Sequence, residues 1–167
     1  ALRLKETPFC VIDTHAGSGL YRLQVPGEFE QGIGRLWPVR AEWPQLAAYF
    51  GLLASLNRNV LNAYPGSPWI IRALLRPQDR AVFIERHPEE AAALRDNLQG
   101  SRGITINEAD AWAALKGLVP PEENRGLVFI DPPYENPDEF EQVARALRAA
   151  HPRWRNGLYL VWYPIKA

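Results

Sequence analysis

The chain of 167 residues contains no methionine, a single cysteine and no net charge at neutral pH. Each shortage excludes something. Without an initiator methionine the first residue is not expected to be the native start, and the chain is expected to be a piece of a longer protein. A lone Cys10 inside an apolar run has no partner for an internal disulfide, and is expected to be an inert core thiol of a cytoplasmic protein. No apolar run approaches the roughly 20 residues of a membrane span and no signal-peptide pattern opens the chain, so no membrane partner is expected. Basic and acidic residues balance at 19 each, whereas a polynucleotide binder usually shows a basic excess or stripe. Neutrality therefore weighs mildly against such a partner. Sixteen of the basic residues are arginine, however, a bias that favours bidentate phosphate contact. Arg145, Arg148, Arg153 and Arg155 cluster before the last apolar run, where a solvated helix face explains them about equally well.

What is present is a series of short apolar runs that end in acids. Residues 9–13, 81–85, 103–107, 127–131 and 158–162 read as five strands. Between them, Pro88–Leu98, Ala111–Leu118 and Pro137–Ala150 carry helical spacing, the last with Phe140, Val143, Ala144 and Leu147 on one stripe. Strands alternating with helices imply an α/β fold with a parallel sheet. One connection, from Asp13 to Ala81, greatly exceeds the roughly 20–30 residues that a crossover helix and its loops need. Pro44–Asn57 reads as a helix with an apolar stripe, Glu28–Trp37 as another, and Trp69–Leu75 as the helix returning to the sheet. A small helical subdomain inserted at residues 23–63 is therefore expected, with residues 1–22 and 64–167 forming the core.

In an open parallel sheet, ligands bind outside the carboxyl ends of the strands. Asp13, Glu85, Asp110 and Asp131 should all lie along that edge, although Asp110 could simply cap the helix after it. The first turn, Asp13-Thr-His-Ala-Gly-Ser-Gly19, lets backbone at Gly17 approach a ligand closely. It is not a dinucleotide fingerprint, because Arg22 stands where the third glycine would be. The turn instead suits a ligand without pyrophosphate, such as S-adenosylmethionine. His15 could donate to the methionine carboxylate or serve only the turn itself, and Glu85 sits where an acid accepts ribose hydroxyls. Leu-Val-Phe-Ile-Asp131-Pro-Pro-Tyr134 runs from a buried-type strand into a stiff turn. Its Asp131 carboxylate and Pro132 carbonyl are acceptors for an exocyclic amine, and Tyr134 offers a ring on which a base could stack. The bland alternative is a turn built from ordinary turn residues.

Together, Asp13–Tyr21, Tyr64-Pro-Gly-Ser-Pro68, Glu85-Arg-His-Pro88, Asp131-Pro-Pro-Tyr-Glu135 and Trp162-Tyr-Pro164 resemble the ribosomal RNA large subunit methyltransferase J family over nearly the whole chain. The resemblance implies a Rossmann-like class I methyltransferase sheet, incomplete at both ends, and methylation of an adenine N6 in 23S rRNA. It further implies S-adenosylmethionine as cofactor, S-adenosylhomocysteine as product, no metal, a monomer and a cytoplasmic location. By it, His15, Ser67, Glu85, Asp110 and Ala111 would contact the cofactor, and Asp131 both cofactor and substrate. Two departures stand out. Ala111 replaces a frequent family glycine, which a backbone contact would tolerate. The family's N-terminal His- and Asn-containing segment and its strands after the fifth have no counterpart here, so the chain by itself is expected to be incomplete as a catalyst. From the residues alone the acceptor stays open: adenine N6 in DNA, guanine N2 in rRNA or a glutamine amide would suit the same turn. A non-catalytic cofactor-binding or nucleic-acid-binding module is a further alternative. Arg35, Arg40 and Arg58 of the insertion are candidates for RNA phosphates, with a merely stabilising appendage as the competing reading.

Overall fold

The computed structural model describes residues 2–58 and 60–165, so the outermost ends of the expected core and Asn59 of the insertion lie outside the described residues. A five-stranded parallel sheet organises the chain: β1 (Cys10–Asp13), β4 (Arg80–Glu85), β5 (Ile104–Glu108), β6 (Gly126–Ile130) and β7 (Leu158–Val161), in the order β5-β4-β1-β6-β7. The central β1 is buried along its whole length, as an uninterrupted apolar run sandwiched on both faces should be. Burial also pushes the Cys10 thiol up to about 11, which leaves it unreactive at neutral pH.

Helices cover both faces. α5 (Ala111–Leu118) and α6 (Glu139–Ala150) pack with Ile12, Val82, Ile84, Val128 and Ile130 on one side. On the other, α3 (Ser67–Leu74) and α4 (Pro88–Asn97) lie over Ala81 and Phe83. The chain first winds outward through β4 and β5, then returns to place β6 and β7 on the opposite side of β1. The strand order therefore reverses between β1 and β6, and the crevice at such a switch point is where open α/β sheets bind ligands.

The long first connection opens and closes with a feature that the sequence reading overlooked. β2 (Leu20–Arg22) and β3 (Ala63–Pro65) form an antiparallel ribbon pairing Tyr21 with Tyr64. Between them lie 3-10 turns, α1 (Ile33–Leu36) and α2 (Ala47–Leu56), around a small core of Ile33, Trp37, Phe50 and Leu53. Buried Asn57 fastens the return. Its amide nitrogen donates to the Leu53 and Ala63 carbonyls, both at 2.9 Å, and its oxygen accepts the Asn62 and Ala63 N–H groups at 2.8 and 2.9 Å.

Two sequence expectations need correction. Glu28–Trp37 is not one helix but a 3-10 turn over Glu28–Gln31 and the single-turn α1, interrupted at Gly32. Three glycines within this stretch and its flank, at 27, 32 and 34, weaken the helix, since each costs about 1 kcal/mol relative to alanine in a helix interior. On α6, the residues facing the core are Glu139, Val143, Ala146 and Ala150, while Phe140 is exposed. Val143 and Leu147 do pack on the core as predicted, but Phe140 packs against Tyr134 instead.

Candidate active site

The four acids reach the carboxyl edge, but their environments differ. Asp13 is fully buried. Its Oδ1 accepts the His15 backbone N–H at 3.3 Å, while Oδ2 has no hydrogen-bond partner. Burial pushes this carboxyl up to about 7. The nearby charges of Asp131 and Glu85 push the same way, and the Ser67 hydroxyl and His15 N–H pull back. Asp131, which closes β6 beside it, is half-buried, and its carboxyl is raised by burial as well. Two carboxyls with raised pKa values thus stand at the ends of neighbouring strands.

Glu85 is fixed more firmly. Its Oε2 accepts the Gly17 N–H and its Oε1 the His87 N–H, each at 2.8 Å. Each carboxylate oxygen has a second lone pair, so these bonds set the direction of the carboxylate without exhausting its capacity. Glycine is favoured at 17: its φ is +60°, and a Cβ would displace the Tyr21 hydroxyl. Gly19, at φ +77°, likewise presses against Leu94 and Pro68.

His15 lies between the acids, yet it is not charged. Burial pushes its imidazole down to about 4, against the opposing pull of Glu85 and Asp110. Thr14 Oγ1 sits 2.8 Å from His15 Nδ1 and 3.1 Å from the Phe129 carbonyl. A hydroxyl that donates to that carbonyl accepts from Nδ1–H, leaving Nε2 an acceptor. Donation from Nε2 to a ligand carboxylate requires the other tautomer, with the Thr14 hydroxyl turned onto Nδ1. Trp112, which sequence reasoning missed, packs its ring 4.8 Å from the imidazole. Its position directly after Asp110-Ala111 was the available signal.

Asp110 does cap α5, accepting the Ala113 N–H at 3.0 Å, and its other oxygen lies 3.8 Å from Arg86. His15, Glu85, Asp110 and Ala111 share the wall of a cavity of about 420 Å³ with Trp112 and Pro133. Gly17, Ser67, Asp131, Pro132 and Tyr134 are not on that wall. Gly17 acts on it through Glu85.

Tyr134 is packed into the fold. Its backbone takes φ +53°, a conformation that turns the ring inward, and the side chain is only 5% exposed. The hydroxyl donates to the Trp162 carbonyl at 2.8 Å, and the ring lies 4.7 Å from Phe140 and 6.0 Å from Trp162. The arginine cluster is also largely engaged: Arg145 and Arg148 share Glu141, and Arg153 donates to the Val119 carbonyl. In the insertion, Arg40 lies over the Trp37 ring, 4.4 Å from its centroid. Among the described residues, no group of three or more His, Cys, Asp or Glu side chains is arranged to hold a metal ion, and no helix is long and apolar enough to cross a membrane.

Known proteins share this arrangement. A solved structure, protein LPL1258 from Legionella pneumophila, superposes with a TM-score of 0.94 at 36% identity, over 98% of this chain and 62% of that one. A Haemophilus influenzae protein named ribosomal RNA large subunit methyltransferase J is 40% identical over 98% of this chain. Its namesake in Escherichia coli K12 is 37% identical over 99%. The chain spans 61% of the length of each of these two relatives. The family model described as ribosomal RNA large subunit methyltransferase D, RlmJ, matches residues 6–167, and the chain belongs to that family.

Proposed function

We propose that this chain carries the S-adenosylmethionine-dependent methylation of an adenine N6 in 23S rRNA, a reaction that would take place in the cytoplasm. The names of its relatives support the RNA substrate. The observation that carries the chemistry is that Pro133 of the Asp131-Pro-Pro-Tyr134 turn shares the wall of one cavity with His15, Glu85 and Asp110 at the carboxyl edge of the sheet.

The residues fit the cofactor. A cavity of about 420 Å³ lies within the range of small-molecule sites. Glu85, aimed by two backbone N–H groups, retains lone pairs for a pair of hydroxyls. The backbone N–H of Ala111 and the carboxylate of Asp110 flank the same wall, and His15 and Ser67 lie toward Asp13. When bound, the cofactor supplies a methyl group already activated by its sulfonium charge. The protein's share is then to position the amine. An adenine N6 lone pair is delocalised into the ring and is a poor nucleophile. Asp131 and the Pro132 carbonyl each accept one N6–H, which orients the amine and raises its electron density as it attacks. That is positioning and electrostatic stabilisation rather than strong base catalysis. Asp131 or water takes the proton that N6 sheds. The inserted segment, residues 23–63, forms a separate helical subdomain in this reading and helps to hold the RNA.

Methyl transfer from labelled S-adenosylmethionine to 23S rRNA by the complete gene product tests this reading, with the modified nucleoside identified by mass spectrometry. N6-methyladenosine is expected, and Asp131→Ala should cut kcat by about 10²–10³-fold, the scale of losing one preorganised polar group. Methylguanosine, or transfer only to DNA, would reassign the acceptor. No transfer to any nucleic acid would leave a binding module.

A further inference from the structure

The glycine turn after β1 is bolted to both neighbouring strands. The Thr14 N–H donates to the Phe129 carbonyl of β6, and the Ala16 N–H to the Ile84 carbonyl of β4, each at 3.0 Å. His15 sits between these two bonds, with its own N–H on Asp13 Oδ1 and Trp112 packed 4.8 Å from its ring. Backbone and ring are thus held, and what remains to be set is which ring nitrogen carries the hydrogen. The group beside that nitrogen is Thr14. It is 1% exposed, and its Oγ1 lies 2.8 Å from His15 Nδ1 and 3.1 Å from the Phe129 carbonyl. Nδ1 is therefore occupied within the fold, and Nε2 is the nitrogen left for the cavity that His15 lines. Burial keeps the imidazole uncharged at neutral pH, so only one of its nitrogens carries a hydrogen at a time. The Phe129 carbonyl already accepts the Thr14 N–H, and so is not orphaned when the hydroxyl turns away from it. Rotation of one buried hydroxyl then exchanges an Nε2 lone pair for an Nε2–H, with no movement of heavier atoms.

We propose that Thr14 is a positioning residue whose hydroxyl donates to His15 Nδ1 and thereby makes Nε2 a donor to the carboxylate of S-adenosylmethionine. The proposal rests on the reading of this cavity as the cofactor site, and says what fits His15 to one end of that cofactor. A carboxylate only accepts hydrogen bonds, so an Nε2 lone pair facing it repels it, whereas Nε2–H attracts it. The bond that one ring nitrogen makes decides what the other offers. The need is acute at this edge of the sheet, where Asp13, Glu85, Asp110 and Asp131 stand in a row and a further carboxylate requires donors.

Two measurements on the complete gene product decide the matter. Calorimetry compares S-adenosylmethionine with its decarboxylated form, which lacks only the carboxylate. Long-range proton–nitrogen correlation spectra of protein with isotope-labelled histidine show which nitrogen of His15 is protonated when S-adenosylmethionine is bound. His15 is expected to carry its hydrogen on Nε2 in that complex. Thr14→Val, which keeps the shape and removes the hydroxyl, should weaken binding of S-adenosylmethionine about tenfold, with the decarboxylated form bound within about twofold of wild type. Thr14→Ser should restore most of the loss. A hydrogen on Nδ1 in the wild-type complex would overturn the proposal. So would an equal loss of both ligands in Thr14→Val, because Thr14 would then only support the turn, and so would unchanged binding of both. If the wild type binds S-adenosylmethionine but methylates no adenine, the acceptor reading fails by itself, and the tautomer still decides the role of Thr14. If the wild type binds neither ligand, the cofactor reading fails and the proposal falls with it.

Discussion

At the β1–β4 end of the carboxyl edge, the Glu85 carboxylate is aimed by backbone N–H groups, whereas at the β6–β7 end the acceptor turn is tied down by its own Tyr134 side chain, which donates to a backbone carbonyl. Glu85 receives one N–H group from nearby His87 and one from Gly17 in the turn after β1, whose positive φ makes that bond possible. Asp131 instead sits half-buried with a raised pKa, and Tyr134 adopts a left-handed backbone anchored on Trp162. The first half is a preformed mould. The second depends on a partner strand, so its geometry changes with whatever disturbs β7. A small flexible cofactor benefits from rigid walls, while an incoming base needs a surface that meets it at the mouth.

Gly17→Ala should break the preformed half most severely. The added methyl meets the Tyr21 hydroxyl in a backbone conformation that alanine disfavours. Cofactor affinity measured by calorimetry should fall about tenfold to a hundredfold, with binding of RNA unchanged. An unaltered dissociation constant would mean that the Glu85 side does not hold the ligand. Glu85→Gln is the milder version. It places one amide nitrogen where two oxygens now accept N–H groups, and should weaken cofactor binding about tenfold without changing the affinity for RNA.

The smallest effect concerns stability where the two halves meet. The Asp13 carboxyl is up at about 7 in the fold, against an ordinary value of 3.8. Between those limits the folded chain holds a proton that the unfolded chain has lost, so stability falls as pH rises from about 4 to about 7 and levels off above. Asp13→Asn keeps an acceptor for the His15 N–H and removes that slope. The difference in melting temperature between variant and wild type should therefore change by a few degrees across this window, in the variant's favour at the higher pH. A constant difference would show that Asp13 ionises normally.

Much of this arrangement was legible in the sequence. Uninterrupted apolar runs ending in Asp13, Glu85 and Asp131 announced parallel strands whose acids share an edge; β1 and β4 end where they were placed, and β6 ends one residue earlier, at Ile130. Helices α2, α4 and α5 followed from spacing and from their starting residues. The ribbon of β2 and β3 was not legible, because two three-residue strands flanked by glycine and proline carry too little alternation to register. Nor was the role of Asn57, whose four hydrogen bonds join groups that lie close only after the insertion has closed.

Local chemistry along the chain was enough to determine an α/β sheet, a glycine turn after the first strand, a row of acids and a stiff acceptor turn, since each depends on neighbouring residues and on the period of the apolar pattern. Tertiary structure alone decided which way the aromatic of that turn faces. A left-handed backbone at Tyr134 and a carbonyl 28 residues further on turn its ring inward, and strand register, which no local pattern encodes, brings Trp162 to the place beside Asp131.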